Sequence, residues 1–238
     1  MLANSSHEVQ SGHLADDIHL PGTAKIELVE FIEQELPRWR DHPDRPHAEA
    51  EAVLTEHLCD HLNSAVYDSE AWSHVQFRTE IVDETDGGRK IDLAVKPRRK
   101  SIVIEARRHS LFDALFPIEC KRLPTPHGKN RDEREYVITR NGTTGGIQRF
   151  KFGHHGAAHK FAAMIGYVQA KAFSEWLTVM NGWIVSLSAE PESVWTDADC
   201  LRSSHENSAG KVYTALSNHE RPDGLGPCEL RHLWVSMN

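Results

Sequence analysis

Apolar residues recur along this chain at helical spacing first and at strand spacing afterwards. Leu28, Val29, Ile32 and Leu36 form one stripe, with Thr23 as a cap and Pro37 as a stop, which predicts a helix over about 24–36. A polar turn, Arg40 to Arg45, follows. Pro46 suits a first helical position, and Leu54, Leu58 and Leu62, spaced by four, carry a second helix to about Asn63. From His74 the period drops to two. Val75, Phe77 and Ile81 mark a strand, Asp86-Gly87-Gly88 a hairpin, and Ile91, Leu93 and Val95 the returning strand Lys90 to Val95. Ser101 to Ala106 is a short β-rich run, and Leu111 to Leu115 reads as helical turns. Phe116 to Leu123 is a further strand, ended by Pro124-Thr125-Pro126. Residues 127–145 are polar and predict a long irregular loop. Phe161, Ile165, Val168, Ala172 and Val179 predict a helix over about 155–180, and Trp183 to Leu187 a strand. After a polar stretch, Val212 to Leu216 and Leu230 to Val235 alternate on either side of Arg221-Pro222-Asp223-Gly224, an expected antiparallel hairpin.

The resulting expectation is an α/β protein, with a mobile tail over 1–22 and a single domain over 23–238. The opening stretch has neither a basic start nor an apolar core, so no secretory signal is expected there. No apolar run reaches the length of about 18 that a membrane span needs. Cys59, Cys120, Cys200 and Cys228 are dispersed without a CxxC pair, which favours a reducing, cytoplasmic setting over a disulfide framework.

Charge adds a second pattern. The net charge is −8, yet residues 88–160 hold 17 Lys and Arg against 7 Asp and Glu, a local balance of +10. A basic strip of this kind suits a polyanionic partner. Arg98, Arg99 and Lys100 are its densest run, and Arg149, after two glycines and before a helix, is a further candidate phosphate contact.

The same segment carries the chemistry. Within Pro117-Ile118-Glu119-Cys120-Lys121-Arg122-Leu123, alternation sends Glu119 and Lys121 to one face and Cys120 to the other. Asp92 interrupts an apolar strand, where a carboxylate needs a cation or a hydrogen-bond partner. Glu51 falls on the stripe of Leu54, Leu58 and Leu62, an unusual place for an acid. Asp92 followed by Glu119-x-Lys121 resembles the PD-(D/E)xK signature of the restriction-endonuclease-like nucleases. Tyr136-Val137, Gly145-Gly146-Ile147-Gln148-Arg149-Phe150 and Met164-Ile165-Gly166-Tyr167-Val168 extend the likeness over about 46–187, toward uncharacterised or defence-associated bacterial restriction-like proteins.

That resemblance implies an αβββαβ core, with a central mixed sheet flanked by helices and the hairpin added at its end. It implies a Mg²⁺-dependent nuclease, with Mn²⁺ as a substitute, acting on nucleic acid, DNA favoured. Asp92, Glu119, Glu51 and the Cys120 carbonyl would hold the metal, and Lys121 would orient the attacking water. A homodimer or a defence-system partner protein is a further expected association. A rival register places the site at Glu105 and Arg107, although a guanidinium stays charged and cannot serve as a base. The competing class is a catalytically silent nucleic-acid-binding or protein-interaction module on the same fold. The i, i+4 pairs His57/His61 and His155/His159, with His154 beside the second, lack the Glu of an HExxH motif, and no Walker A string or dinucleotide fingerprint is present.

Overall fold

The computed structural model describes residues 17–47, 49–128, 131–140 and 143–238. A seven-stranded mixed sheet organises them. Its strands are β2 (Val75–Val82), β3 (Lys90–Pro97), β6 (Phe116–Leu123), β7 (Phe161–Val168), β8 (Arg202–Asn207), β9 (Val212–His219) and β10 (Cys228–Ser236). Their spatial order is β2-β3-β6-β7-β10-β9-β8. The β6–β7 and β7–β10 pairs are parallel and the rest antiparallel. A small second sheet joins β1 (Ile18–Leu20), β4 (Ile102–Ile104) and β5 (Arg107–His109).

Helices cover both faces of the large sheet. α1 (Ala24–Arg40) and α2 (Glu51–Asp68) bury Leu28, Ile32, Leu36, Leu54, Leu58 and Leu62 against Phe77, Leu93, Val95, Ile118, Cys120 and Ile165. On the other face α3 (Gly146–Lys151) and α4 (Phe173–Ser188) bury Ile147, Phe150, Trp176, Met180 and Ile184 against Ala162, Met164, Leu230 and Trp234. Both cores lie between layers, as expected where helices sandwich a sheet. Among the described residues no helix is long and apolar enough to cross a membrane.

Several expectations need correction. Residues 1–16 of the expected tail lie outside the described residues, but Ile18–Leu20 is a strand, parallel to Ile102–Ile104. Ile18 and Leu20 pack on the core beneath α1, which is what orders this stretch. α1 runs one turn beyond Pro37, because Trp39 in that turn is buried and its packing outweighs one missing N–H. The Thr23 hydroxyl donates to Glu27 rather than capping the backbone. α2 starts at Glu51, five residues after Pro46. Leu111 to Leu115 forms turns, not a helix.

The largest correction concerns the stretch read as a helix over 155–180. Phe161–Val168 is strand β7, and the helix is Phe173–Ser188, which absorbs the expected strand Trp183 to Leu187. β7 is central and covered on both faces, so FAAMIGYV shows no alternation to distinguish it from a buried helix. The element between β6 and β7 is the six-residue helix α3. The closing hairpin is present as β9 and β10, with β8 added outside it.

Candidate active site

β3 and β6 run as an antiparallel ladder only as far as Leu93 opposite Ile118, and then separate. Beyond the fork, β6 backbone N–H groups lose their β3 partners and need others. Two carboxylates supply them. The Cys120 N–H donates to Asp92 Oδ2 at 2.9 Å, and the Arg122 N–H donates to Glu51 Oε2 at 3.0 Å. Glu51 comes from the first residue of α2, so the stripe that places its leucines in the core also brings this acid to the sheet.

Alternation completes the cluster. Leu93, Ile118 and Cys120 enter the core under α1 and α2, so Asp92, Glu119 and Lys121 belong to the opposite face. Lys121 Nζ lies 2.8 Å from Glu119 Oε1, 3.1 Å from Glu51 Oε1 and 3.6 Å from Asp92 Oδ2, and donates to the Cys120 carbonyl at 2.9 Å. The acids expected from the sequence, Glu51, Asp92 and Glu119, therefore converge on the expected lysine. The Cys120 thiol lies on the far side, where burial pushes its pKa well up.

Arg149 sits in this cluster rather than on open surface, its guanidinium paired with Glu119. The preceding glycines set its approach. A Cβ on Gly145 would collide with the Ile138 backbone, and one on Gly146 would lie 2.7 Å from the Tyr136 carbonyl oxygen. The 136–138 turn thus packs directly on the start of α3. His155, considered from the sequence only as part of a zinc pair, completes the surround of Glu119, with Nδ1 3.2 Å from Oε2. Its loop is tied to the β2–β3 hairpin through Gly156 N–H to Asp83 at 2.8 Å and Arg89 to the His154 carbonyl at 3.0 Å. No local pattern announces His155, which meets Glu119 across 36 residues of chain.

The electrostatics are uneven. Burial pushes the Glu119 carboxyl upward, but the Lys121 ammonium, the His155 hydrogen bond and the Arg149 guanidinium hold it well below the usual carboxylate range. Burial would lower the Lys121 pKa; Glu119, Asp92 and Glu51 keep it above its ordinary value. Asp92 is the strained member. Burial first, and then the Glu119 charge, push its carboxyl up to about 7. Three carboxylates share two permanent cations, Lys121 and Arg149. Asp92 and Glu51 open on a cleft of about 460 Å³, lined also by Thr55, Glu56, Thr79 and Glu80.

Other expected residues lie elsewhere. Arg98, Arg99 and Lys100 form the turn after β3, about 20 Å from Asp92 at strand rise. Arg98 stacks over Tyr67 with its guanidinium carbon 5.6 Å from the ring centroid. Glu105 occupies the tight turn between β4 and β5, with φ of 48°, and belongs to the small sheet rather than the fork. Among the described residues no set of three or more His, Cys, Asp or Glu converges as metal ligands would.

A second polar chain crosses the interior on the α3/α4 side, and nothing in the sequence pointed to it. Lys151 Nζ contacts both Asp199 oxygens at 2.9 Å, and Asp199 Oδ1 lies 2.6 Å from His219 Nδ1. Ser217 Oγ bridges His219 Nε2 at 2.7 Å and His232 Nε2 at 2.8 Å. His232 Nδ1 meets the Tyr136 hydroxyl at 2.9 Å, which accepts from Trp234 Nε1 at 2.8 Å.

Comparison with protein families, curated proteins and solved structures found no match to this chain.

Proposed function

We propose that this protein is a metal-dependent nuclease of the restriction-endonuclease-like type, hydrolysing phosphodiester bonds of nucleic acid, with DNA favoured. One observation carries the reading: Glu51, Asp92 and Glu119 converge on Lys121 at the fork between β3 and β6. The order α2, β2, β3, β6, α3, β7, with β6 and β7 parallel, supports it, since it follows the αβββαβ order of that fold.

The donor set suits a hard divalent cation. Its open edge is all oxygen, Asp92 and Glu51 among Thr55, Glu56, Thr79 and Glu80, and no thiolate or imidazole lines it. Burial, and then the Glu119 charge, raise the Asp92 pKa, and a cation bound beside it would favour its ionised form. An acidic cleft repels a bare phosphodiester, so substrate entry itself calls for a cation. Asp92 and Glu51 would hold the ion at the open edge, with Glu119 and the Cys120 carbonyl behind them. A bound Mg²⁺ supplies Lewis acidity, polarising phosphoryl oxygens and making water more acidic.

The protein's own groups do the rest. Lys121 is held among three carboxylates and the Cys120 carbonyl; to orient an attacking water, as the resemblance implies, its ammonium would exchange one of these partners for the water when a cation takes up the carboxylates. Arg149 and His155 fix the Glu119 carboxylate by a charge-assisted pair and a hydrogen bond. The silent-module reading draws on one observation: both Glu119 oxygens are already engaged by Lys121, Arg149 and His155, and the side chain is fully buried.

The test is incubation of purified protein with plasmid, linear DNA, single-stranded DNA and RNA in Mg²⁺ or Mn²⁺, beside Asp92→Asn. Cleavage by the wild type, abolished in Asp92→Asn, is the expected result. Calorimetry separates the two readings, because a silent site takes up no Mg²⁺. Cleavage that survives Asp92→Asn unchanged would sink the assignment.

A further inference from the structure

The two most exposed large apolar side chains among the described residues gather at one end of the sheet. Phe112 is 85% exposed and Tyr67 68%, and Leu111, at 39%, precedes Phe112. Tyr67 lies in the last turn of α2, and Arg98 in the turn after β3 covers it, its guanidinium carbon 5.6 Å from the ring centroid. The β4–β5 hairpin brings Phe112 to the same turn. Ile102 stands opposite His109, so the chain leaving β5 runs back toward Lys100 and Arg99. Lys96, just before the turn, donates from Nζ to the Phe112 carbonyl at 2.6 Å.

A single exposed apolar side chain needs no explanation, but Phe112 is held out by a closed turn. The Phe112 N–H donates to Ser110 Oγ at 3.2 Å, the Ser110 N–H to Asp113 Oδ2 at 2.7 Å, and the Asp113 N–H to the Ser110 carbonyl at 3.2 Å. With Lys96 on its carbonyl as well, the Phe112 backbone is pinned and its ring stays in solvent. The same bonds occupy the Asp113 carboxylate. Residues 96–100 hold four Lys and Arg and no acid, while Asp68 and Glu70 follow Tyr67, so the cationic excess lies around Phe112.

Rings set among cations match a nucleic-acid strand, whose bases stack on π-faces and whose phosphates take Lys and Arg. A duplex offers such a surface only its phosphates, because its bases are already paired and stacked on one another. An unpaired strand offers both. A lipid surface instead takes a contiguous apolar face, and here a guanidinium covers the Tyr67 ring. We infer that this end of the sheet binds an unpaired stretch of nucleic acid, with a base stacked on Phe112 and the neighbouring phosphates on Lys96, Arg98 and Arg99. The Lys96 ammonium keeps further donors beyond the one given to the Phe112 carbonyl, and the Tyr67 ring steadies Arg98. The inference rests on the nuclease reading and deepens it, by giving the substrate a single-stranded part. β3 joins the two places, since Lys96 projects from the same face as Asp92, four residues and about 13 Å along the strand.

Binding can be read without cleavage. Labelled oligothymidylate and a blunt duplex of equal length are titrated separately with the full chain, in EDTA at one salt concentration. Phe112→Ala should weaken the single strand by about fivefold to a hundredfold, the range of one lost base–aromatic stack, and leave the duplex within about twofold. Phe112→Trp should bind the single strand at least as well as the wild type. Phe112→Leu should fail like the alanine variant, since apolar area without a π-face gives no stack. Urea midpoints check that each variant is folded. Cleavage of the blunt duplex in Mg²⁺ should persist in Phe112→Ala, which tells loss of this platform apart from failure of the nuclease reading. Absence of saturable single-strand binding by the wild type, equal losses on both nucleic acids, or Phe112→Leu as tight as wild type would overturn the assignment. So would sedimentation with phosphatidylserine vesicles that Phe112→Ala abolishes while single-strand affinity is unchanged.

Discussion

Two buried polar clusters flank the short helix α3, and they are built on opposite principles. Arg149 reaches from it to Glu119 at the fork, while Lys151, two residues on, reaches Asp199 in the interior chain. At the fork three carboxylates share two permanent cations and the acidic edge opens on a cleft. In the interior chain one lysine faces one aspartate. Ser217, His219 and His232 are each 0% exposed, and each side-chain nitrogen or oxygen of these three has a partner. Asp199, His219 and Ser217 even follow the order of a nucleophilic triad. Yet the Ser217 hydroxyl is fully enclosed and shared with a second imidazole, so no substrate reaches it. Charge excess with access marks a place for chemistry, and saturation without access marks architecture.

The largest expected effect follows from that contrast. Asp92→Asn and Lys121→Met should each lower cleavage by about three orders of magnitude or more, and the double variant should be little worse, because the residues act as one unit. Cleavage rates with circular dichroism as a folding check measure this. Additive losses would show that the cluster is not a unit. Glu105→Ala should leave cleavage unchanged, and a dead Glu105→Ala would move the site to the small sheet.

Stability should respond with the opposite sign in the two clusters. Asp92→Asn removes a carboxylate from a cluster with one too many, so in metal-free buffer the protein should unfold at the same urea concentration or a higher one. Lys151→Met strips the ammonium from Asp199 in a closed interior, and breaking such a pair costs about 3–5 kcal/mol. A loss in Asp92→Asn as large as that in Lys151→Met would erase the distinction.

Acidity separates them again. Burial, and then the neighbouring His219, push the His232 pKa down to about 3. Between that value and about 6.5 the unfolded chain binds the proton that the folded one refuses, so stability is whole above about pH 6.5 and falls with acidification. By about pH 4.5 the loss from this residue approaches about 3 kcal/mol. Asp92 has the reverse sign. Its folded pKa near 7 exceeds the unfolded value, so its contribution is full at low pH and fades as pH rises toward 7. Urea midpoints across pH 4 to 7, in metal-free buffer, should therefore tilt downward with rising pH in His232→Gln and upward in Asp92→Asn, relative to the wild type in which the two oppose each other. Equal slopes in all three proteins would refute both assignments.

The fork was legible in the sequence and the interior chain was not, for a physical reason. Glu119 and Lys121 alternate within an apolar strand, and Glu51 sits on a leucine stripe, so each breaks a local pattern. Lys151, Asp199, His219 and Ser217 break none, and their contacts span 48, 20 and 2 residues. His155 was missed on the same ground. The misplacement of β7 and α4 has a different cause. Phe161–Val168 is buried on both faces and has no period, while Trp176, Met180, Ile184 and Leu187 hold a helical spacing that begins later than expected. Arg149 was legible as a charge worth noticing but not as a partner of Glu119, since only folding sets α3 against β6.

The smallest effect expected concerns the turn after β3, and it asks whether the cleft alone meets the substrate. Arg98, Arg99 and Lys100 lie about 20 Å along β3 from Asp92, a distance that about six phosphates span on one strand of a duplex. A duplex placed with its reacting phosphate at Asp92 can run past this turn, which is outside the acidic cleft and carries like charges only. Each phosphate neutralised releases counterions and adds about 0.9 to the slope of log affinity against log salt. Replacing the three by Ala in a Lys121→Met background should shallow that slope by about 1–2 and weaken binding uniformly across sequences, with no change in preference. Arg149→Ala should differ, since its guanidinium is committed to Glu119 and its loss disturbs the carboxylate more than the grip on DNA. Titration of labelled duplex at several salt concentrations reads both. An unchanged slope in the triple variant would confine substrate contact to the fork and leave the turn as solvated surface.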